Sequence, residues 1–147
     1  MKSNLFILSL LASLLLVMSG CKYPQGPALS LQSPEARIAN IWKVVAATDE
    51  AGEDDTSSFD NRTYTFAEDG SATLTYTLTI LGNSQNVNLD GSWNLLDDET
   101  NLQLLLQDVT GLITLNEELI ITRLTQDELW LQDQTNDLQT IQLEAQE

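Results

Sequence analysis

The chain has 147 residues, with 22 Asp and Glu against six Lys and Arg, a formal net charge of −16, one cysteine and no histidine. So acidic a surface argues against nucleic-acid binding, which depends on Lys and Arg neutralising phosphates, and disfavours anionic lipid headgroups. The lack of His and of a second Cys removes Ser-His-Asp and Cys-His catalysis, disulfides and the usual zinc, copper or iron sites, so no cofactor or metal is expected.

At the N-terminus, Met1-Lys2-Ser3-Asn4 forms a short basic segment, and Leu5 to Val17 is an apolar run broken only by small Ala and Ser. That run falls short of the roughly 20 residues that span a bilayer and reads as the core of a signal peptide covering residues 1–20. Small Ser19 and Gly20 then precede Cys21, and Leu16-Val17-Met18-Ser19-Gly20-Cys21 resembles a bacterial lipobox. The resemblance implies that Cys21 becomes the mature N-terminus, thioether-linked to diacylglycerol and acylated on its amine by a palmitate-type chain. Each buried acyl CH₂ contributes about 0.8 kcal/mol, so two or three chains hold a protein stably on a membrane. Lys22, where an inner-membrane retention signal would have Asp, directs the expectation to the outer membrane, facing the periplasm or the cell surface.

Residues 21–35 read as a lipidated Cys and a tether, since Pro24, Pro27 and Pro34 are all the prolines of the chain. Proline removes amide donors and favours extended backbone, so such a spacer reaches up to roughly 50 Å at about 3.3 Å per residue. Around Pro34 one helical turn is expected, with Ser33 as N-cap, Pro34 at the first position and Glu35 in the first turn.

Residues 36–147 then read as a single all-β domain. Ile41–Thr48 is the first run, with Trp42, Val44 and Ala46 on one face. Thr63–Phe66 and Ala72–Leu81 form a hairpin around Asp69-Gly70, and Leu74, Tyr76, Leu78 and Ile80 alternate with four threonines at period 2. Asn83–Asn86 is the next expected turn, followed by Val87, Leu89, Gly91, Trp93 and Leu95 on one face. Gly91 inside a strand points to a bulge or a bend. Further runs are Leu102–Gln107, Leu112–Leu115, Glu118–Leu124, Leu129–Gln134 and Leu138–Leu143, with Leu104-Leu105-Leu106 also compatible with a helical turn. Eight or nine short strands with almost no room for helices predict an antiparallel up-and-down barrel, since closure removes exposed edges.

The lipobox, the Pro-rich tether, Ile41-Trp42-Lys43-Val44-Val45, Tyr64-Thr65-Phe66 leading to Asp69-Gly70, Gly91-Ser92-Trp93-Asn94-Leu95 and Leu124-Thr125-Gln126-Asp127-Glu128-Leu129 together resemble the lipocalin-like lipoproteins of Bacteroidetes. The resemblance covers roughly residues 36 to 143. It implies a lipocalin-like barrel in which a late-strand arginine, here Arg123, packs across the first tryptophan, Trp42. Such a pair would be a structural plug held by a cation–π stack.

Tyr64, Phe66, Tyr76 and Trp93 share a face and are candidates to line a cavity for a small apolar ligand, or simply to fill the core. Trp130, between Leu129 and Leu131, is expected to face outward, as an anchor for a partner or as cover for a neighbouring side chain. The acidic stretch Asp49–Asp60 matches no EF-hand spacing and reads as a solvated loop, as does Asp97-Asp98-Glu99. No pair of acids stands in a context suited to glycoside hydrolysis. These features favour a non-enzymatic, lipid-anchored binding module for a small apolar ligand. The alternative is a protein-interaction or inhibitor module with a solid barrel core, whose loops or outer face bind another envelope protein.

Overall fold

A computed structural model of the protein describes residues 22–26 and 30–146; the expected signal peptide, residues 1–20, and Cys21 lie outside the described residues. A short helix, α1 (Pro34–Ile38), precedes eight strands: β1 (Ile41–Thr48), β2 (Thr63–Phe66), β3 (Ser71–Ile80), β4 (Asn83–Leu96), β5 (Asn101–Gln107), β6 (Thr114–Leu124), β7 (Glu128–Asp133) and β8 (Thr140–Ala145). Each strand pairs antiparallel with the next, and β8 pairs back on β1, closing the expected up-and-down barrel with eight strands. Closure gives every strand a partner on each side, while the β3–β4 hairpin projects beyond its neighbours, with Tyr76–Ile80 unpaired on the β2 side and Asn83–Leu89 on the β5 side. Helix α1 begins as its sequence dictates: the Ser33 hydroxyl accepts from the Ala36 amide at 3.3 Å, and Pro34 opens the first turn.

The up-and-down path sorts the connections to two ends. One end carries α1 and the β2–β3, β4–β5 and β6–β7 turns. The other carries the loop of residues 49–62 and the β3–β4, β5–β6 and β7–β8 connections, and is called the mouth below. The interior between them is packed with Trp42, Val44, Phe66, Leu74, Leu89, Trp93, Leu102, Leu104, Ile121, Leu124, Leu129 and Leu143, all buried. Phe66 and Trp93 meet as a tilted pair with ring centroids 5.9 Å apart, and the Trp93 indole donates to the Ala67 carbonyl at 2.9 Å.

Several details depart from the sequence pattern. Residues 112–115 and 118–124 are not two strands, because β6 runs continuously through Glu117-Glu118. A charge pair that looks like a break is accommodated because Glu117 takes an inward position at the mouth, in alternation with Leu115, Leu119 and Ile121. Leu104–Leu106 is strand and not helix, with Leu104 and Leu106 buried and Leu105 outside. The β3–β4 connection is not Asn83–Asn86 but the two-residue turn Leu81-Gly82, both at positive φ (51° and 80°), which sets Ile80 opposite Asn83.

Register shifts fall between Val44 and Ala46 and between Ile121 and Arg123. The first turns Ala47 inward in place of the expected Ala46. Because side chains alternate with period 2, the second turns Leu124 inward and Arg123 outward. Gly91, in contrast, sits in an unbroken register. Its need is steric: a Cβ there would lie 1.9 Å from the Leu105 carbonyl oxygen on β5.

Candidate functional site

The expected stack of Arg123 on Trp42 is not formed. Trp42 is fully buried, and its indole donates to the Ile38 carbonyl at 2.8 Å, which ties the first strand to α1. The β6 bulge carries Arg123 to the outer face, where it lies over Trp130 at 5.1 Å from the ring centroid and pairs with Glu128 at 2.6 Å. Of the two expectations for the outward Trp130, partner anchor or cover for a neighbouring side chain, the structure shows the second, with Arg123 against the ring.

The buried guanidinium at the helix end belongs instead to Arg37. It donates to the Leu124 carbonyl at 2.6 Å and sits 5.7 Å from the ring centroid of Tyr23, while its Nε has no partner among the described residues. Tyr23 is itself buried, and its hydroxyl donates to the Glu99 carbonyl at 3.0 Å. Lys22 pairs with the Glu99 carboxylate, and the Gln25 amide donates to the Thr122 carbonyl at 2.9 Å. Lys22–Gly26, read from sequence as part of a tether, therefore lies as a strap across the closed end. Glu99 receives it in a β4–β5 turn where Asp97, Asp98 and Glu99 all hold positive φ, a conformation that favours glycine.

At the mouth the loop of residues 49–62 is shaped by its own carboxylates. Asp49 accepts from the amides of Ala51 and Glu53 at 2.8 and 2.9 Å, Asp54 from the Thr56 amide and hydroxyl, and Asp55 from the Ser58 hydroxyl. These bonds use acceptor capacity that a cation would need. The loop closes with the Arg62 amide donating to the Phe59 carbonyl at 2.9 Å, which delivers both side chains over the barrel opening.

There the structure holds a cavity of about 90 Å³, lined by Phe59, Arg62, Tyr64, Glu117, Leu119, Leu131, Asp133, Gln139 and Ile141. Tyr64, Leu119, Leu131 and Ile141 form its apolar wall. One inward position nearer the mouth than Tyr64 stands Arg62, and one nearer than Leu119 stands Glu117. The Arg62 guanidinium lies 4.1 Å from the Phe59 ring centroid and 5.7 Å from that of Tyr76. Stacking of this kind leaves the in-plane N–H donors available for hydrogen bonds, and the Tyr64 hydroxyl is one neighbour within their reach. No carboxylate oxygen among the described residues comes within 4.0 Å of Arg62.

Burial pushes the Glu117 carboxyl above the usual range, opposed by the charge of Arg62 and reinforced by that of Asp133. The Tyr64 hydroxyl is raised likewise by burial, again opposed by the neighbouring Arg62. Asp133 is lowered, because the Thr135 hydroxyl and amide and the Asn136 amide donate to it.

Of the four expected cavity residues, Tyr64 lines the cavity and Tyr76 flanks its arginine. Phe66 and Trp93 do not reach it, because they pack against each other one layer deeper. Arg62 and Glu117 had no signal from motif or composition. For Glu117, its odd place in an otherwise alternating apolar run was the available clue. The mouth also presents bare apolar tips: Leu81, Val109 and Leu112 are 97, 101 and 87 % exposed, with Ile80 and Leu138 more than half exposed.

No family model and no curated protein matches the sequence. Among solved structures, the barrel superposes on a lipocalin-like protein from Bacteroides uniformis with a TM-score of 0.57, covering 75 % of this chain and 99 % of that one at 15 % identity. The fold is lipocalin-like. At that identity the likeness concerns architecture, and the chemistry of the lipocalin-like mouth must be argued from its own residues.

Proposed function

We propose that the protein is a non-enzymatic binding module of the bacterial cell envelope, anchored by lipid at Cys21 to the outer membrane and engaging its ligand at the barrel mouth. The observation that carries this reading is the mouth cavity, where Arg62 is stacked but unpaired, Glu117 is turned inward, and the wall is apolar. Convergent polar groups over an apolar wall are the usual composition of a ligand site. A cavity of about 90 Å³ is well below the roughly 300–1,000 Å³ of drug-sized pockets, so the ligand, or the part of it that enters, is small. A small apolar ligand lodged deep in the barrel against Phe66 and Trp93, as expected from sequence, is disfavoured by the filled interior. The strap supports an orientation as well: with residue 22 held at the closed end, an anchor on Cys21 leaves the mouth pointing away from the membrane.

Native mass spectrometry of the full chain, extracted from its bacterial host in mild detergent, tests ligand binding. An added small mass that is lost in an Ile141→Trp variant is expected. A mass retained in that variant places the ligand elsewhere, and a bare protein that takes up nothing from cell extract refutes the reading. Radiolabelled palmitate should enter the wild type and not Cys21→Ser.

A second reading, recognition of an envelope protein through the mouth rim, is favoured by the exposed Ile80, Leu81, Val109, Leu112 and Leu138. Apolar tips clustered at one end of a monomer commonly mark an interaction site.

A further inference from the structure

We infer that the mouth cavity takes a small zwitterion of the α-amino-acid class, its carboxylate on Arg62, its ammonium on Glu117, and a short aliphatic side chain on the wall formed by Leu119, Leu131 and Ile141. This rests on the mouth-binding reading above and specifies its ligand.

Three features lead to it. First, Arg62 and Glu117 line one cavity yet form no ion pair, since no carboxylate oxygen lies within 4.0 Å of the guanidinium. Two opposite charges held apart in a partly dry pocket leave both incompletely satisfied, and a ligand carrying both complementary charges satisfies both at once. The guanidinium is held in place for this purpose: it lies by the Phe59 and Tyr76 rings and beside the Tyr64 hydroxyl, and no carboxylate of the described residues occupies the planar fork. The Glu117 carboxyl likewise has no hydrogen-bond donor among the causes that move it, only burial and the charges of Arg62 and Asp133.

Second, the simpler ligands fit worse. A plain carboxylate would approach Glu117 and Asp133 within a protein of net charge −16. A plain amine would leave Arg62 unpaired and add a like charge beside it. A neutral polyol would leave both charges desolvated without an ionic partner.

Third, the size agrees. An engineered apolar cavity of about 150 Å³ holds the six carbons of benzene, so about 90 Å³ suits a branched group of about four carbons. Three of the four wall residues beneath the charged pair, Leu119, Leu131 and Ile141, are aliphatic, which suits such a side chain.

The test compares L-leucine with two molecules that each lack one charge, 4-methylpentanoate and 3-methylbutylamine, by calorimetric titration of the full chain. Leucine should bind at least tenfold more tightly than either. Arg62→Gln should weaken leucine tenfold or more while leaving the amine unaffected or improved, and Glu117→Gln should weaken leucine similarly while leaving 4-methylpentanoate unaffected or improved. A general loss of structure would weaken all three ligands together, so this crossed pattern separates recognition from folding. Binding of 4-methylpentanoate as tight as that of leucine overturns the zwitterion assignment. So does failure of leucine to bind a protein whose mouth holds a different small molecule by native mass spectrometry, an outcome that leaves the mouth-binding reading intact. If the mouth is also empty after exposure to cell extract, both fall.

Discussion

Replacing Tyr23 by Ala removes the side chain that fixes the N-terminal strap to the closed end of the barrel. A buried Tyr withdraws about 150–250 Å² from water, or about 4–6 kcal/mol at about 25 cal/mol per Å². Tyr23 is only 3 % exposed, so nearly all of that area is at stake. With Gln25 still bonded to the Thr122 carbonyl, the released Lys22, Tyr23 and Pro24 regain backbone freedom of about 1 kcal/mol each, which brings the expected net loss to about 2 kcal/mol. Urea unfolding followed by tryptophan fluorescence should then show the midpoint falling by about 1 M, for a slope of about 2 kcal/mol per M. Tyr23→Phe keeps the ring and gives up only the hydrogen bond to the Glu99 carbonyl, a loss of about 1 kcal/mol.

The same residue supplies an independent check at high pH. Burial pushes the Tyr23 hydroxyl up to about 12, from 10.0 in the open chain. The folded state therefore keeps a proton that the unfolded state releases. Stability from this group is undiminished below pH 10 and declines between pH 10 and about 12, by at most about 3 kcal/mol. Tyr23→Phe should lose clearly less stability over that interval than the wild type, the remainder coming from Tyr64, whose hydroxyl is raised in the same direction. A Tyr23→Ala midpoint equal to that of the wild type, or alkaline curves that coincide for wild type and Tyr23→Phe, would refute the docking of the strap.

Gly91→Ala should be among the most damaging single-methyl additions, because a Cβ would stand 1.9 Å from the Leu105 carbonyl oxygen, where backbone must move; a loss of about 3 kcal/mol by thermal unfolding is expected. Glu117→Gln should raise the melting temperature at pH 7 and give little gain at pH 4. Burial raises the folded carboxyl above its unfolded value, so stability falls as pH climbs through that interval, and the amide removes this penalty. Arg123→Ala should lower stability by under about 1 kcal/mol, as its pair with Glu128 is about one-third exposed on both sides. Arg37→Ala, in contrast, withdraws the buried donor to the Leu124 carbonyl and should cost about 2–4 kcal/mol in the same urea assay.

Much of the architecture was legible in the chain itself. Alternation along Leu74, Tyr76 and Leu78, the turn residues Asp69-Gly70, and Ser33-Pro34 at a helix start are local signals, set by the two-residue period of strands and by the dihedral preferences of Gly and Pro. Regular spacing of such runs, with an acidic composition and no histidine, determined an all-β barrel and excluded whole classes of chemistry. What only the tertiary structure decided concerns parity and depth. A bulge at β6 adds one residue and so reverses every side chain beyond it, which is why Arg123 leaves Trp42 for Trp130 and Arg37 takes the closed end. Whether an inward aromatic lines a space or fills one depends on neighbours from other strands, and Phe66 and Trp93 fill it. The candidate site joins Arg62 from a loop to Glu117 more than fifty residues later. Their pairing is a product of barrel closure, and no local pattern encodes a contact across that separation.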